Sequence, residues 1–321
     1  MIAPPLVDFH LHSSYSDGSE NIASIIDEAK KRNIKAIALT DHNTGKGVNA
    51  FAKACAKNEI ATLEGVEIYA AFPKTEWATN PAYCGQTPDL VILGKTLNWK
   101  IFIERYQISL EQYRKNHWLP KTLEKLREAG LEVLNLNKKE IDNQCNFGVP
   151  PVLRYIAKNP KNWPVIFEIT KQYEQYEQGI TMESIVKNPV YFAGMYLYGV
   201  GKPAYVPRVF SEWTVTKAVK LAREMGGVLF AAHPGGNYAK WSKEHLDYFV
   251  QMGGGGIEVW QYHHKPDQIK FFLQYAIKNN LLISGGSDWH GKNSSPTLGC
   301  WDKPENQTPL WATEKLFERL E

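Results

Sequence analysis

The chain is short of cysteine, nearly balanced in charge and without a long apolar run. Its four cysteines, Cys55, Cys84, Cys145 and Cys300, are far apart and form no CxxC pair. That spacing excludes a disulfide scaffold and a thiolate zinc ribbon, and a reducing cytoplasm is the expected location. The 37 Lys+Arg residues stand against 34 Asp+Glu, a formal charge of +3. So small a surplus does not steer a protein to nucleic acid, and strong nucleic-acid binding is not expected. No apolar stretch approaches the roughly 18 residues of a membrane span, so no membrane partner is expected. The opening MIAPPLVDFHLH has neither a basic start nor a long apolar segment, and no signal peptide is expected from it. Four consecutive glycines, Gly253 to Gly256, lack the Lys-Ser/Thr of a phosphate loop and precede an apolar run. They read as a helix-to-strand turn.

Seven short apolar runs are present, at 6–12, 34–41, 61–68, 90–94, 227–233, 256–260 and 281–286. Several are near-continuous Val, Ile, Leu and Ala, the pattern of parallel strands covered on both faces. Helical patterns lie between them, over Ile22 to Lys31, Lys46 to Lys57 and Glu212 to Glu224, the last with Ser211 as its expected cap. Alternation of this kind argues for an α/β barrel or a doubly wound sheet. Residues 98–200 differ, being rich in aromatics, Asn, Gln and Lys, with KTLEKLREAG a clean amphipathic helix ending at glycine. We read them as a mostly helical insertion. The Asn-Pro pairs at 159–160 and 188–189 mark helix ends within it.

The histidines carry the chemistry by their placement. His10 and His12 close the first run, in VDFHLH. A period of two places both imidazoles on one face, with Val7, Phe9 and Leu11 on the other. Asp17 follows in SYSDGS. Asp41 and His42 close the second run, Glu67 the third, His233 the fifth, and Asp288 and His290 the last. All lie at or just past the C-terminal end of an expected strand, the face on which parallel barrels build active sites. Any one of these residues alone reads as a cap, a turn or a core side chain. Together they form a donor set of imidazole and carboxylate suited to Zn, Mn or Fe, with more ligands than one ion uses.

At these residues the sequence resembles the PHP-domain (polymerase and histidinol phosphatase) metal-dependent phosphoesterases. The matching segments are DFHLHSSYSDG, IALTDHN, EGVEI, GKPAYVP, GGVLFAAHPGG, GIEVW and GGSDWHG, over roughly residues 5–95 and 197–300. The resemblance implies a distorted (β/α)7 barrel over 1–97 and 201–321, with 98–200 as a helical insertion capping its mouth. It implies a hydrolase of phosphate esters holding two or three divalent metal ions. His10, His12, Glu67 and Asp288 would hold one; Asp17, His42 and His290 another; Glu67 and His233 would contribute to the remaining one. The implied partner is a small phosphorylated substrate, with a nucleotide as one form. The alternatives carried are an exonuclease acting on nucleic-acid ends and a partly degenerate metal-binding domain without catalysis.

Two departures from the family pattern stand out. Val91 occupies the place of a histidine ligand, in VILG, and Asp89 is the neighbour that could rescue that metal. We expect a weak or empty metal position over such a rescue. An Arg-Pro-His element is absent from the insertion, and Arg154 is the expected substitute contact for substrate phosphate. His264 is the candidate catalytic acid for the leaving oxygen, with His263 beside it. Glu258, a lone charge in GIEVW, reads as a support for a ligand or as an ordinary ion pair, and the second reading is preferred.

Overall fold

The protein is described by a computed structural model. It covers residues 6–72, 88–133, 151–173, 179–197, 201–206, 213–236, 240–292 and 296–320, without the side chains of 151 and 154. Two compact units divide it. The first comprises Met1–Asn80, Gln86–Ile108 and Val209–Glu321, and the second Pro81–Gly85 with Ser109–Arg208.

The first unit is built on one sheet of seven strands in sequence order: β1 Leu6–Asp8, β2 Ile34–Leu39, β3 Ala61–Tyr69, β4 Asp89–Gly94, β5 Val228–Ala231, β6 Gly256–Gln261 and β7 Leu282–Gly286. All seven apolar runs are strands. The sheet bends nearly closed, because the chain beyond β1 meets the chain beyond β7. Phe9 N–H donates to Gly285 O, His12 N–H to Trp289 O, and Asp288 N–H to His10 O. The result is the distorted (β/α)7 barrel that the sequence suggests. Gly286 is required at this seam, since a Cβ there would lie 2.4 Å from the His10 nitrogen.

Two expectations need correction. The apolar runs read as parallel strands, but β4 runs antiparallel to both β3 and β5. Hydrophobicity reports burial on both faces and carries no direction, so the reversal is invisible in composition. The first strand also ends at Asp8 and does not reach residue 12. Phe9 enters the barrel interior with Val7, Ala38, Val91 and Phe230, whereas Leu11 packs outside with Ile25 and Phe51. His10 and His12 therefore approach each other through an irregular segment and not through strand pleating.

Outer helices cover the sheet as their stripes require. Ile22–Lys31 buries Ile25, Ile26 and Ala29 and is capped by Asn21, whose side chain accepts from Ser24 N–H. Val48–Lys57 buries Val48, Phe51 and Cys55. The helix expected from Glu212 is Val215–Glu224, capped by Thr214; Ser211 lies outside the described residues. The glycine run is a turn into β6, as expected.

The second unit is helical. Leu119–Glu128, Pro151–Lys158, Trp163–Lys171 and Pro189–Leu197 surround a core that includes Leu126, Val152, Leu153, Ile166, Phe192 and Tyr196. Helices end at Lys158 and Lys187, immediately before the two Asn-Pro pairs. A proline ring cannot continue the helix behind it.

Candidate metal centre

At one end of the barrel the chain leaves five of the strands toward a common point. His10 and His12 arrive beyond β1, His42 beyond β2, Glu67 within the end of β3, His233 beyond β5, and Asp288 and His290 beyond β7. His10, His12, Glu67 and His233 are buried, and His42 and Asp17 are partly so. The structure thus brings together all eight histidines and carboxylates singled out as ligands.

Glu67 is the hub. Its Oε2 lies 3.3 Å from His10 Nε2, 3.2 Å from His12 Nε2 and 3.0 Å from His42 Nδ1. Its Oε1 lies 3.1 Å from His233 Nε2. Asp288 Oδ1 is 3.1 Å from His12 Nε2 and 3.5 Å from His10 Nε2. Asp17 Oδ1 is 3.3 Å from His290 Nε2 and 3.7 Å from His12 Nδ1. Three groups of donors emerge, each with its atoms within 4.8 Å of one another: His12, Asp17, His42 and His290; His10, His12, Glu67 and Asp288; and Glu67, Asp89 and His233. His12 belongs to two groups and Glu67 to two.

These donors fit divalent metal ions. His10 Nε2 and Glu67 Oε2 are fully buried atoms that make no hydrogen bond. Left so, each carries a desolvation cost of order 1–3 kcal/mol that a coordinated cation removes. Mixed imidazole and carboxylate is the donor chemistry of Zn, Mn and Fe.

Without a metal, the groups share protons. Burial alone would raise the Glu67 carboxyl, but His42 and His10 hold it well below its ordinary range. Burial opposes protonation of His10, yet the charges of Glu258, Glu67 and Asp288 raise it well above normal. Burial and His42 both act to lower His12, and the neighbouring carboxylates of Asp288, Glu67 and Asp17 outweigh them, raising it to about 9. Metal ligands must be deprotonated, so a cation would enter by displacing these protons.

A second layer fixes the donors. Glu258 Oε1 accepts from His10 Nδ1 at 2.7 Å, and its Oε2 accepts from His233 N–H at 2.6 Å. The preference for an ordinary ion pair at Glu258 is corrected; a lone carboxylate inside an apolar strand was the available signal. Asp41 Oδ1 accepts from Ser13 N–H at 2.7 Å and from Ser16 Oγ at 2.6 Å, pinning the loop that carries Asp17. Asp8 accepts from Ser287 N–H at 2.9 Å and Gly299 N–H at 2.7 Å, clasping the two ends of the sheet. His233 and Asp288 both hold positive φ, 29° and 61°, a strained backbone of the kind that gathers at functional sites.

The surroundings of His264 argue against the expected role of acid. Its Nδ1 lies 2.9 Å from Val259 O, and its Nε2 accepts from Gly235 N–H at 3.0 Å. Both ring nitrogens serve the backbone of the His233 loop and of β6, and burial pushes the pKa down to about 4. With one ring nitrogen against Val259 O and the other taken by Gly235 N–H, the ring is suited to fixing this loop. His263 is half-buried, its N–H bonded to Gln261 Oε1 at 2.8 Å. Arg154 lies in the helix Pro151–Lys158 of the second unit, and its side chain is outside the described residues.

The family model for the PHP domain matches residues 8–185, more than half of the chain. The chain belongs to the PHP domain family. Relatives extend along most of its length. A phosphoribosyl 1,2-cyclic phosphate 1,2-diphosphodiesterase of Eggerthella lenta is 25% identical, over 89% of this chain and 94% of the relative. A 3',5'-nucleoside bisphosphate phosphatase of Chromobacterium violaceum is 27% identical over 95% of each. A 5'-3' exoribonuclease of Haemophilus influenzae is 25% identical over 95% and 97%. Among solved structures, a Bifidobacterium adolescentis protein described as a metal-dependent phosphoesterase superposes with a TM-score of 0.65 at 21% identity, covering 98% of this chain and 96% of the other. That likeness supports the fold. The PHP chain described here is accordingly an enzyme of the metal-dependent phosphoesterase class. Among the described residues, no helix is long and apolar enough to cross a membrane.

Proposed function

We infer that the chain hydrolyses a phosphate ester on a small, nucleotide-like molecule, at a multinuclear centre of two or three divalent ions drawn from Zn, Mn and Fe. The observation that carries this is the sharing of His12 and Glu67 between neighbouring donor groups. Donor groups that adjoin in this way would hold neighbouring cations, whose charge would suit the oxygens of a phosphate ester. His10, His12, Glu67 and Asp288 would hold one ion; Asp17, His42 and His290, with His12 alongside, a second; Glu67 and His233 would contribute to a third. When bound, the ions supply Lewis-acid charge that activates water and neutralises the phosphate oxygens.

The chain's own residues prepare that chemistry. Glu258 holds His10 by its Nδ1, so Nε2 faces Glu67 and Asp288. Asp41 fixes the loop of Asp17, and the His264 ring fixes the backbone beside His233. Positioning and electrostatics of this sort dominate phosphoryl transfer. Arg154 is our proposed contact for substrate phosphate, on the bidentate fork of its guanidinium, and the helical insertion is the proposed source of selectivity. A cytoplasmic setting belongs to the same reading, in which Cys55 and Cys300 are unpaired thiols.

Relatives that act on a nucleoside bisphosphate and on a phosphoribosyl cyclic phosphate support a small substrate. The exoribonuclease of Haemophilus influenzae supports a second reading, stepwise cleavage from an RNA end. A panel decides between them. A nucleoside 3',5'-bisphosphate, a cyclic ribose phosphate and a short 5'-phosphorylated RNA are each incubated with protein loaded with Mn²⁺, Zn²⁺ or Fe²⁺. The small esters should release phosphate or open faster than the RNA is shortened. Shortening of RNA alone selects the second reading, and no turnover of any of them contradicts both.

A further inference from the structure

We propose that Asp89 is a metal ligand, completing a third position with Glu67 and His233 in a set of two carboxylates and one imidazole. The proposal rests on the multinuclear reading above and adds to it the residue that makes the third position whole.

The reversal of β4 is what brings Asp89 to the site. In a parallel strand the residues near the centre would be the last ones. In β4 they are the first, and Asp89 is its opening residue. Backbone pairing fixes it between the neighbouring strands. It lies opposite Tyr69, two residues past Glu67 on β3, and its carbonyl accepts from Ala232 N–H at 3.4 Å, one residue before His233. A carboxylate oxygen of Asp89 lies within 4.8 Å of ligand atoms on both Glu67 and His233.

The residue that faces Glu67 directly across the strands is Val91. It is fully buried in the barrel interior with Val7, Phe9, Ala38 and Phe230, and offers no donor atom. Residues two apart on a strand share a face, so Asp89 is the donor that β4 presents on the Glu67 side. Glu67, 1% exposed, turns its Oε1 to His233 Nε2 at 3.1 Å and leaves Oε2 to the other two donor groups, so one carboxylate oxygen is set aside for this position. With Asp89 included, the position has three protein ligands, the number at which catalytic metal sites hold their ion and leave a place for water. Two anionic ligands in that set also offset the dication's charge in a buried setting.

Equilibrium dialysis of chelator-stripped protein against Mn²⁺ alone, with metal counted by elemental analysis, tests the assignment without any assay of activity. Wild type should retain three ions per chain, Asp89→Ala two, and Asp89→His three, because an imidazole restores a donor. Circular dichroism of the metal-free proteins checks that the variants fold alike; Asp89 is only partly buried at a strand start, so truncation leaves the core intact. Equal stoichiometry in wild type and Asp89→Ala would overturn the proposal, whether that number is two or three. A wild type that retains no Mn²⁺ would instead overturn the multinuclear reading itself, and so the two failures are distinguishable.

Discussion

Glu258 and His10 form a buried pair, Oε1 to Nδ1 at 2.7 Å, between strand β6 and the segment that follows β1. The bond leaves one ring nitrogen, Nε2, to face Glu67 and Asp288. The same carboxylate holds the backbone of His233, so one side chain orients donors on two sides of the centre.

Glu258→Gln keeps the shape and removes the charge and one acceptor. Partners of this kind are worth about 10–100-fold in metal affinity. Calorimetric titration of the stripped protein with Mn²⁺ should show a loss in that range for at least one ion, with secondary structure unchanged. Undiminished affinity would reduce Glu258 to a packing role.

Asp41 should act through the loop it pins. Asp41→Ala removes the acceptor for Ser13 N–H, Ser13 Oγ and Ser16 Oγ. Losing buried hydrogen bonds of this type costs about 1–3 kcal/mol. Urea unfolding should register that loss, and Mn²⁺ binding should weaken chiefly at the position of Asp17, His42 and His290. A variant as stable as wild type would contradict the anchoring role.

His264 predicts a pH dependence of stability. Burial holds its folded pKa at about 4, below the unfolded value of about 6.5. The neutral ring thus contributes stability above pH 6.5 that is lost as pH falls from 6.5 toward 4. Spread over that window the loss is roughly 3 kcal/mol. His264→Gln should unfold with a flatter dependence on pH than wild type between 6.5 and 4, measured on metal-free protein. Parallel curves would contradict the assignment.

Much of the fold was legible because burial in a barrel writes itself as apolar runs. All seven strands lie where those runs stand, and the donors follow from their position at strand ends. What was hidden depends on long-range pairing. Strand direction has no signature in hydrophobicity, so the reversal of β4 was not readable; Asp89 stood out as a candidate neighbour, but its register opposite Tyr69 follows only from that reversal. Glu258 meets His10 only because the sheet closes, and the pairing of β5 with β6 brings His233 to Glu258 and Gly235 to His264. The positive φ of His233 and Asp288 also runs against residue preference, being imposed by the surrounding structure.

His12 should be the least replaceable of the histidines, since it alone among them lies within reach of two of the three groups. His12→Ala should lower Mn²⁺ stoichiometry more than His233→Ala, which touches one group, when both are dialysed against the same free metal. An equal loss would contradict the sharing of His12.

The central claim is that phosphate-ester hydrolysis depends on divalent metal held at this cluster. The most direct measurement follows phosphate release from a nucleoside 3',5'-bisphosphate by stripped protein, by Mn²⁺-reloaded protein and by reloaded His10→Ala. The account predicts release only by the reloaded wild type. Release by the stripped protein, or by His10→Ala at the wild-type rate, would contradict it.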